Sequence, residues 1–133
     1  LANAGLIQLS PFPLYIRALS SAGGHEGVEV ATSATGASFL TANFPDATKN
    51  GWHHVALSFN GVDGQGRLYI DGVLSALSPM NTVPSADTLN VGSRAGVAGW
   101  TGRLDELRLY AGALSAVDLA RLYEAERGQV GHE

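Results

Sequence analysis

Residues 51–59 read GWHHVALSF, and residues 67–73, after a short loop, read RLYIDGV. In the first stretch Val55, Leu57 and Phe59 alternate with His54, Ala56 and Ser58. A period of two puts alternate side chains on opposite faces of a pleated strand. In the second stretch Leu68 and Ile70 continue an apolar face, while Tyr69 shares the other face with Arg67 and Asp71. Asp71-Gly72 then stands directly between two apolar runs. A type I′ turn needs positive φ at both central residues, and Asp and Gly adopt it at low cost, so a tight hairpin is expected here.

The same alternation extends upstream. Residues 14–19 read as a strand with Tyr15, Arg17 and Leu19 on one face and Leu14, Ile16 and Ala18 on the other. Residues 27–32 set Val28 and Val30 against Glu29 and Ala31, and residues 37–42 are expected to be their partner strand. A short apolar run at Leu6, Ile7 and Leu9 is stopped by Ser10-Pro11-Phe12-Pro13. Downstream, residues 88–91 and 102–110 are expected strands, separated by a loop carrying Gly92, Gly96 and Gly99. Only residues 115–127 carry a helical period. Ser115 is a natural N-cap, Asp118 completes a capping-box pattern, Leu119, Leu122 and Tyr123 form the apolar stripe, and Gly128 is a stop. Many short strands followed by one helix predict an all-β fold: a two-sheet antiparallel jelly-roll sandwich with one short C-terminal helix. A helical bundle and a doubly wound α/β sheet are excluded, because the helical period occurs once and turns, not helices, separate the strands.

Composition narrows the function classes. The chain has 133 residues, which fits a single domain over 1–133. It has no cysteine, so disulfides, thiolate metal sites and thiol nucleophiles are excluded. The formal net charge is −4 with Lys49 the only lysine, which argues against a phosphate-binding surface and hence against nucleic acid as a partner. No apolar run approaches the ~18 residues of a membrane span, so no membrane insertion is expected. The chain starts at Leu1 with no charged n-region and no cleavable apolar stretch, as a processed product or a fragment would.

Four ordered segments carry a family resemblance: GWHHVALSF (51–59), RLYIDGV (67–73), LNVGS (89–93) and WTGRLDELRLYAGAL (100–114), the last followed by SAVDLARLY. Together they resemble the LamG-like jelly-roll family, within the concanavalin A-like lectin/glucanase superfamily and related to laminin G domains and pentraxins. The resemblance covers residues 51–124. It implies an antiparallel sandwich that is usually extracellular, usually noncatalytic and often an appended module. The front departs from the family pattern, because few residues precede Trp52 and no clear counterpart of the opening strand is found. The expectation is a domain lacking the usual N-terminal strands. Its open sheet edge would be covered by a second copy, as a homo-oligomer or a strand-swapped pair.

Several residues are candidates for chemistry. Retaining glycoside hydrolysis needs two carboxyls ~5–5.5 Å apart, and a catalytic strand would carry them at even spacings. In RLDELR, Asp105 and Glu106 are adjacent and so face opposite ways, while Arg103 and Arg108 occupy the flanking positions; the catalytic pattern is missing. Asp105 is expected to share a core-facing side with Leu107 and Leu109. There it needs a partner: an arginine, a histidine, loop amides or calcium. LamG-like domains often bind calcium, so Asp105 is the metal candidate. His53 and His54 are expected as sheet residues with one ring buried, and Trp52 as a buried residue. Neither a Gly-x-Ser-x-Gly elbow nor a Walker loop occurs. For a carbohydrate ligand the candidates are Trp100 as the stacking platform, Tyr69 as a second aromatic and Arg94 as a polar group on the rim. The expected function is noncatalytic recognition of a carbohydrate or protein ligand, as part of a larger extracellular or cell-surface protein. A structural or oligomerisation module and a glycoside hydrolase fragment are the alternatives.

Overall fold

The Asp71-Gly72 hairpin forms as expected: β6 (Gln65–Ile70) and β7 (Val73–Pro79) pair antiparallel around it, and β5 (Val55–Asn60) pairs with β6 on the other side. Both turn residues have positive φ, 52° at Asp71 and 79° at Gly72, as a type I′ turn requires. The computed structural model describes residues 5–11, 14–20, 26–31, 38–44, 51–79, 86–91, 93–94, 98–99, 103–110 and 112–127.

The alternating segments upstream of Trp52 form β1 (Gly5–Pro11), β2 (Leu14–Ser20), β3 (Glu26–Ala31) and β4 (Ser38–Asn43). With β8 (Ala86–Val91) they make a five-stranded antiparallel sheet in the order β4-β3-β2-β1-β8. β5, β6 and β7 form the second sheet in chain order, and a small ribbon joins β9 (Ser93–Arg94) to β10 (Ala98–Gly99). β4 packs against β6 and β7, so the two sheets stack as a sandwich.

The core lies between them. Leu14, Val28, Val30, Leu40 and Ala42 come from the larger sheet, Leu68 and Ile70 from the smaller. Val30 and Leu68 are fully inaccessible, and each such side chain contributes roughly 1.5–3 kcal/mol of hydrophobic burial. Ile7, Ile16, Phe44, Val55, Leu57, Phe59 and Ala76 close the cluster at its margins. The other face of β2 and β3 is also buried. Tyr15, Arg17, Glu29 and Ala31 are all enclosed there, and Arg17 lies opposite Glu29 in register, Nε to Oε1 3.0 Å.

α1 (Ala116–Glu126) starts at the predicted capping box. The Asp118 N–H donates to Ser115 Oγ at 3.1 Å, and the Ser115 N–H donates to the Asp118 carboxylate at 3.4 Å. Leu119 is buried and Leu122 and Tyr123 are half-buried, matching the apolar stripe. Arg127 is the C-cap, and Gly128 lies outside the described residues. Among the described residues no helix is long and apolar enough to cross a membrane.

One expected strand is not formed. Residues 103–110 join no sheet, and all of them are exposed. Asp105, Leu107 and Leu109 therefore do not share a buried face; Leu107 is 50% and Leu109 74% exposed. The pattern explains why alternation misleads here. Leu104 and Tyr110 fall on one side of an extended chain, Leu107 and Leu109 on the other, and Glu106 has φ 52°, so neither side is continuous and apolar.

Candidate functional site at one end of the sandwich

The start of β5, the β6–β7 turn, the end of β4 and the last turns of α1 meet at one end of the molecule. Asp71 ties them together. Its N–H donates to the His54 carbonyl at 2.8 Å, its Oδ1 accepts the His54 N–H at 2.9 Å, and its Oδ2 lies 2.8 Å from His53 Nδ1. An ionised carboxylate only accepts, so Nδ1 of His53 carries the proton. The His53 ring is inaccessible apart from 4% of its side chain, and it stacks on Phe44 with centroids 4.1 Å apart and planes 4° from parallel.

His54 faces the helix. Its Nε2 is 3.7 Å from Glu126 Oε2, too long for a hydrogen bond, and its ring tilts against Tyr123 at 6.0 Å. Glu126 is buried, and its Oε1 accepts from Arg108 Nε at 2.5 Å. The Glu126 hydrogen bond and charge hold the Arg108 guanidinium above its ordinary pKa. An arginine thus neutralises the buried carboxylate from the solvent side, and residues 103–110 are pinned to the helix at that point. Gly72 sits under Tyr123, where a Cβ would approach the ring Cδ2 to 3.1 Å.

Beside this cluster, Trp52 is 38% exposed instead of buried, and the Arg103 guanidinium lies 5.6 Å from its ring centroid. Trp52 precedes β5, so no sheet partner covers it. That distance falls within the cation–π range. The guanidinium lies over one face of the partly exposed ring, so aromatic surface and forked N–H donors stand together there.

A laminin G profile, described as Concanavalin A-like lectin/glucanases superfamily, matches residues 12–120. The chain belongs to that superfamily. No curated protein matches it significantly. Among solved structures it is similar to a Bacteroides ovatus protein proposed to bind carbohydrate, at 23% identity and a TM-score of 0.70, over 91% of this chain and 36% of that one. It also matches an S-layer domain-containing protein of Clostridium thermocellum at 22% identity and a TM-score of 0.44, over 82% of this chain and 56% of that one. The chain thus spans about a third of the first of these proteins and little over half of the second. At this identity the likeness to the Bacteroides structure shows a shared fold and nothing finer.

Within that fold the sequence candidates are scattered. Trp100 lies outside the described residues. Arg94 is in β9, its backbone paired with Ala98, and its side chain is outside the described residues. Tyr69 is corrected as a stacking platform: it is only 3% exposed. β6 is the central strand of its sheet and is enclosed on both faces, so an outward position in the alternation does not bring the ring to solvent. Asp105 is exposed, with Oδ1 accepting the Glu106 N–H at 2.9 Å. Among the described residues no group of three His, Cys, Asp or Glu side chains is placed to hold a metal. The sequence reading passed over Trp52 with Arg103, and Glu126 with Arg108. Trp52 carried one usable signal, its place just before a strand; the two arginine contacts are tertiary and left none.

Proposed function

We propose that this concanavalin A-like chain is a noncatalytic recognition module that takes a glycan at its rim, with Trp52 as the stacking face and Arg103 as the donor to sugar hydroxyls. The partly exposed Trp52 ring, with the Arg103 guanidinium over one of its faces, carries this reading. A pyranose presents C–H groups on one face and hydroxyls around its edge, which suits an aromatic surface bordered by N–H donors. Trp100 and Arg94 remain members of the proposed rim. The noncatalytic reading is supported by the two central carboxylates: Asp71 is engaged by His53 and His54, and Glu126 by Arg108, so both serve the fold. The superfamily and a neighbour proposed to bind carbohydrate favour a glycan over a protein surface, and the greater length of that neighbour favours a place in a larger protein, for which we propose an extracellular or cell-surface setting.

The test is a glycan array followed by calorimetry on the best oligosaccharide. Trp52→Ala and Arg103→Ala should each weaken binding at least tenfold without unfolding the domain. Undiminished binding in both variants would move the site elsewhere, and no binding by the parent chain would favour a structural module. New reducing ends on incubation with the bound oligosaccharide would overturn the noncatalytic reading. Calcium is proposed as an accessory ion at Asp105. It needs six to eight oxygen ligands, and the described donor set there is thin, one carboxylate beside Glu106. A bound ion would raise Tm by mass action, and Asp105→Asn would abolish the rise. An unchanged Tm in millimolar calcium removes the proposal.

A further inference from the structure

Residues 103–110 join no sheet and each is exposed, whereas the described strands are all paired in sheets. They present Leu104 at 46%, Leu107 at 50%, Leu109 at 74% and Tyr110 at 48% exposure. Glu106 adopts φ 52°, a left-handed conformation that is costly for a residue with a Cβ. An unpaired backbone beside exposed apolar side chains is a template for strand addition. We propose that this segment pairs antiparallel with the same segment of a second copy, about a two-fold axis at Leu107.

The register follows from symmetry and charge. Side chains directly opposite one another in an antiparallel pair lie on the same side of the ribbon. A two-fold axis normal to the ribbon therefore sets each residue opposite one an even number of positions away, and one residue faces its own copy. Centring on Asp105, Glu106 or Arg108 sets like charges against each other. Centring on Leu104 or Leu109 leaves most of the segment unpaired. Centring on Leu107 sets Leu107 against Leu107, Glu106 against Arg108, Asp105 against Leu109 and Leu104 against Tyr110, each of the last three pairs occurring twice; the paired charges and the Leu104–Tyr110 contacts outweigh the unmatched Asp105, which stays at the solvated margin.

The present contacts suit that exchange. Arg108 uses Nε for Glu126, and a terminal nitrogen reaches its own Glu106 at a long 3.3 Å. In the pair, that terminal nitrogen turns to the partner's Glu106, and Glu106 leaves its positive φ as the strand extends. Arg108 keeps Glu126, so the ribbon stays anchored to the helix. A ribbon of this length buries less than the ~1,200 Å² of a standard interface, so the dimer forms at high concentration and dissociates on dilution.

Sedimentation velocity over a concentration series on the whole chain provides the first measurement, with the dimer fraction expected to rise with concentration. Glu106→Arg places arginine opposite Arg108 and should weaken the dimer at least tenfold. The chain has no cysteine, so single cysteines report position cleanly. Opposed Cα atoms in an antiparallel pair are ~4.5–5.5 Å apart, within disulfide range. Leu107→Cys should cross-link under mild oxidation. Leu104→Cys should not, because six residues of strand, ~20 Å, separate it from its own copy. Monomer at every concentration with no Leu107→Cys cross-link overturns the proposal. Equal cross-linking of both cysteine variants overturns the register. A dimer indifferent to Glu106→Arg overturns the segment and points to an open strand such as β7.

Discussion

β6 begins and ends in turns of similar composition and different connection. At its start, residues 61–64 hold Gly64 at φ 68°; at its end, Asp71-Gly72 holds Gly72 at φ 79°. The first turn satisfies itself locally. Asn60 Oδ1 accepts the Val62 N–H, Asp63 Oδ1 accepts the Gln65 N–H, and Asp63 Oδ2 meets Arg67 at 2.6 Å, all on the surface. The second turn fastens the start of β5, and the helix packs on it. Similar residue chemistry thus serves hairpin closure at one end and tertiary assembly at the other.

The comparison is most exposed at the two aspartates. Asp71→Ala removes the acceptors for the His53 ring and the His54 amide and should cost about 1.5–3 kcal/mol in urea unfolding, the range for lost hydrogen bonds to a charged group. Asp63→Ala, in a screened surface pair, should change the midpoint little. Equal losses would show that the Asp71 contacts carry no special weight.

The glycines come next. Alanine at either position forces positive φ on a side chain, about 1–2 kcal/mol. At Gly64 nothing lies within 4 Å of the added Cβ, whereas at Gly72 the Tyr123 ring must move. Gly72→Ala should therefore lower Tm more than Gly64→Ala, and equal shifts would mean that Tyr123 yields freely. Glu126→Gln retains an oxygen for Arg108 and loses the charge, so a smaller loss than Asp71→Ala is expected, with earlier melting of the helix by circular dichroism.

The smallest effect is a pH dependence. The hydrogen bond from Arg67, then that from the Gln65 amide, holds the Asp63 carboxyl below its ordinary pKa. A depressed carboxyl stabilises the fold above its unfolded value, ~3.9, and the contribution disappears as pH falls through the folded value. The Tm advantage of the parent over Asp63→Asn should be present at pH 6 and vanish in strong acid. An advantage that grew on acidification would contradict this sign.

The sandwich was largely legible because its strands alternate and its hairpin and helix carry explicit turn and cap residues. Val28 with Val30, Asp71-Gly72, and Ser115 with Asp118 each point to one local structure and obtain it. The site was less legible, since its parts are long-range. Nothing near Glu126 in the sequence announces Arg108, and nothing near Trp52 announces Arg103. Tyr69 and Asp105 show the limit of periodicity. It assigns a side of the strand but not whether that side is covered, and coverage depends on elements distant in the chain.

The doubly enclosed pair β2 and β3, with Val28 and Val30 shut away on one side and Arg17 and Glu29 on the other, has a bearing on how such a domain can diversify. Its interior is already committed to itself, and described side chains on both sides of these strands are closed to solvent. Change of ligand must come from short surface connections, where substitutions and insertions leave the enclosed layers undisturbed. A lineage built on this sandwich could exchange its binding preference many times while its interior stayed the same.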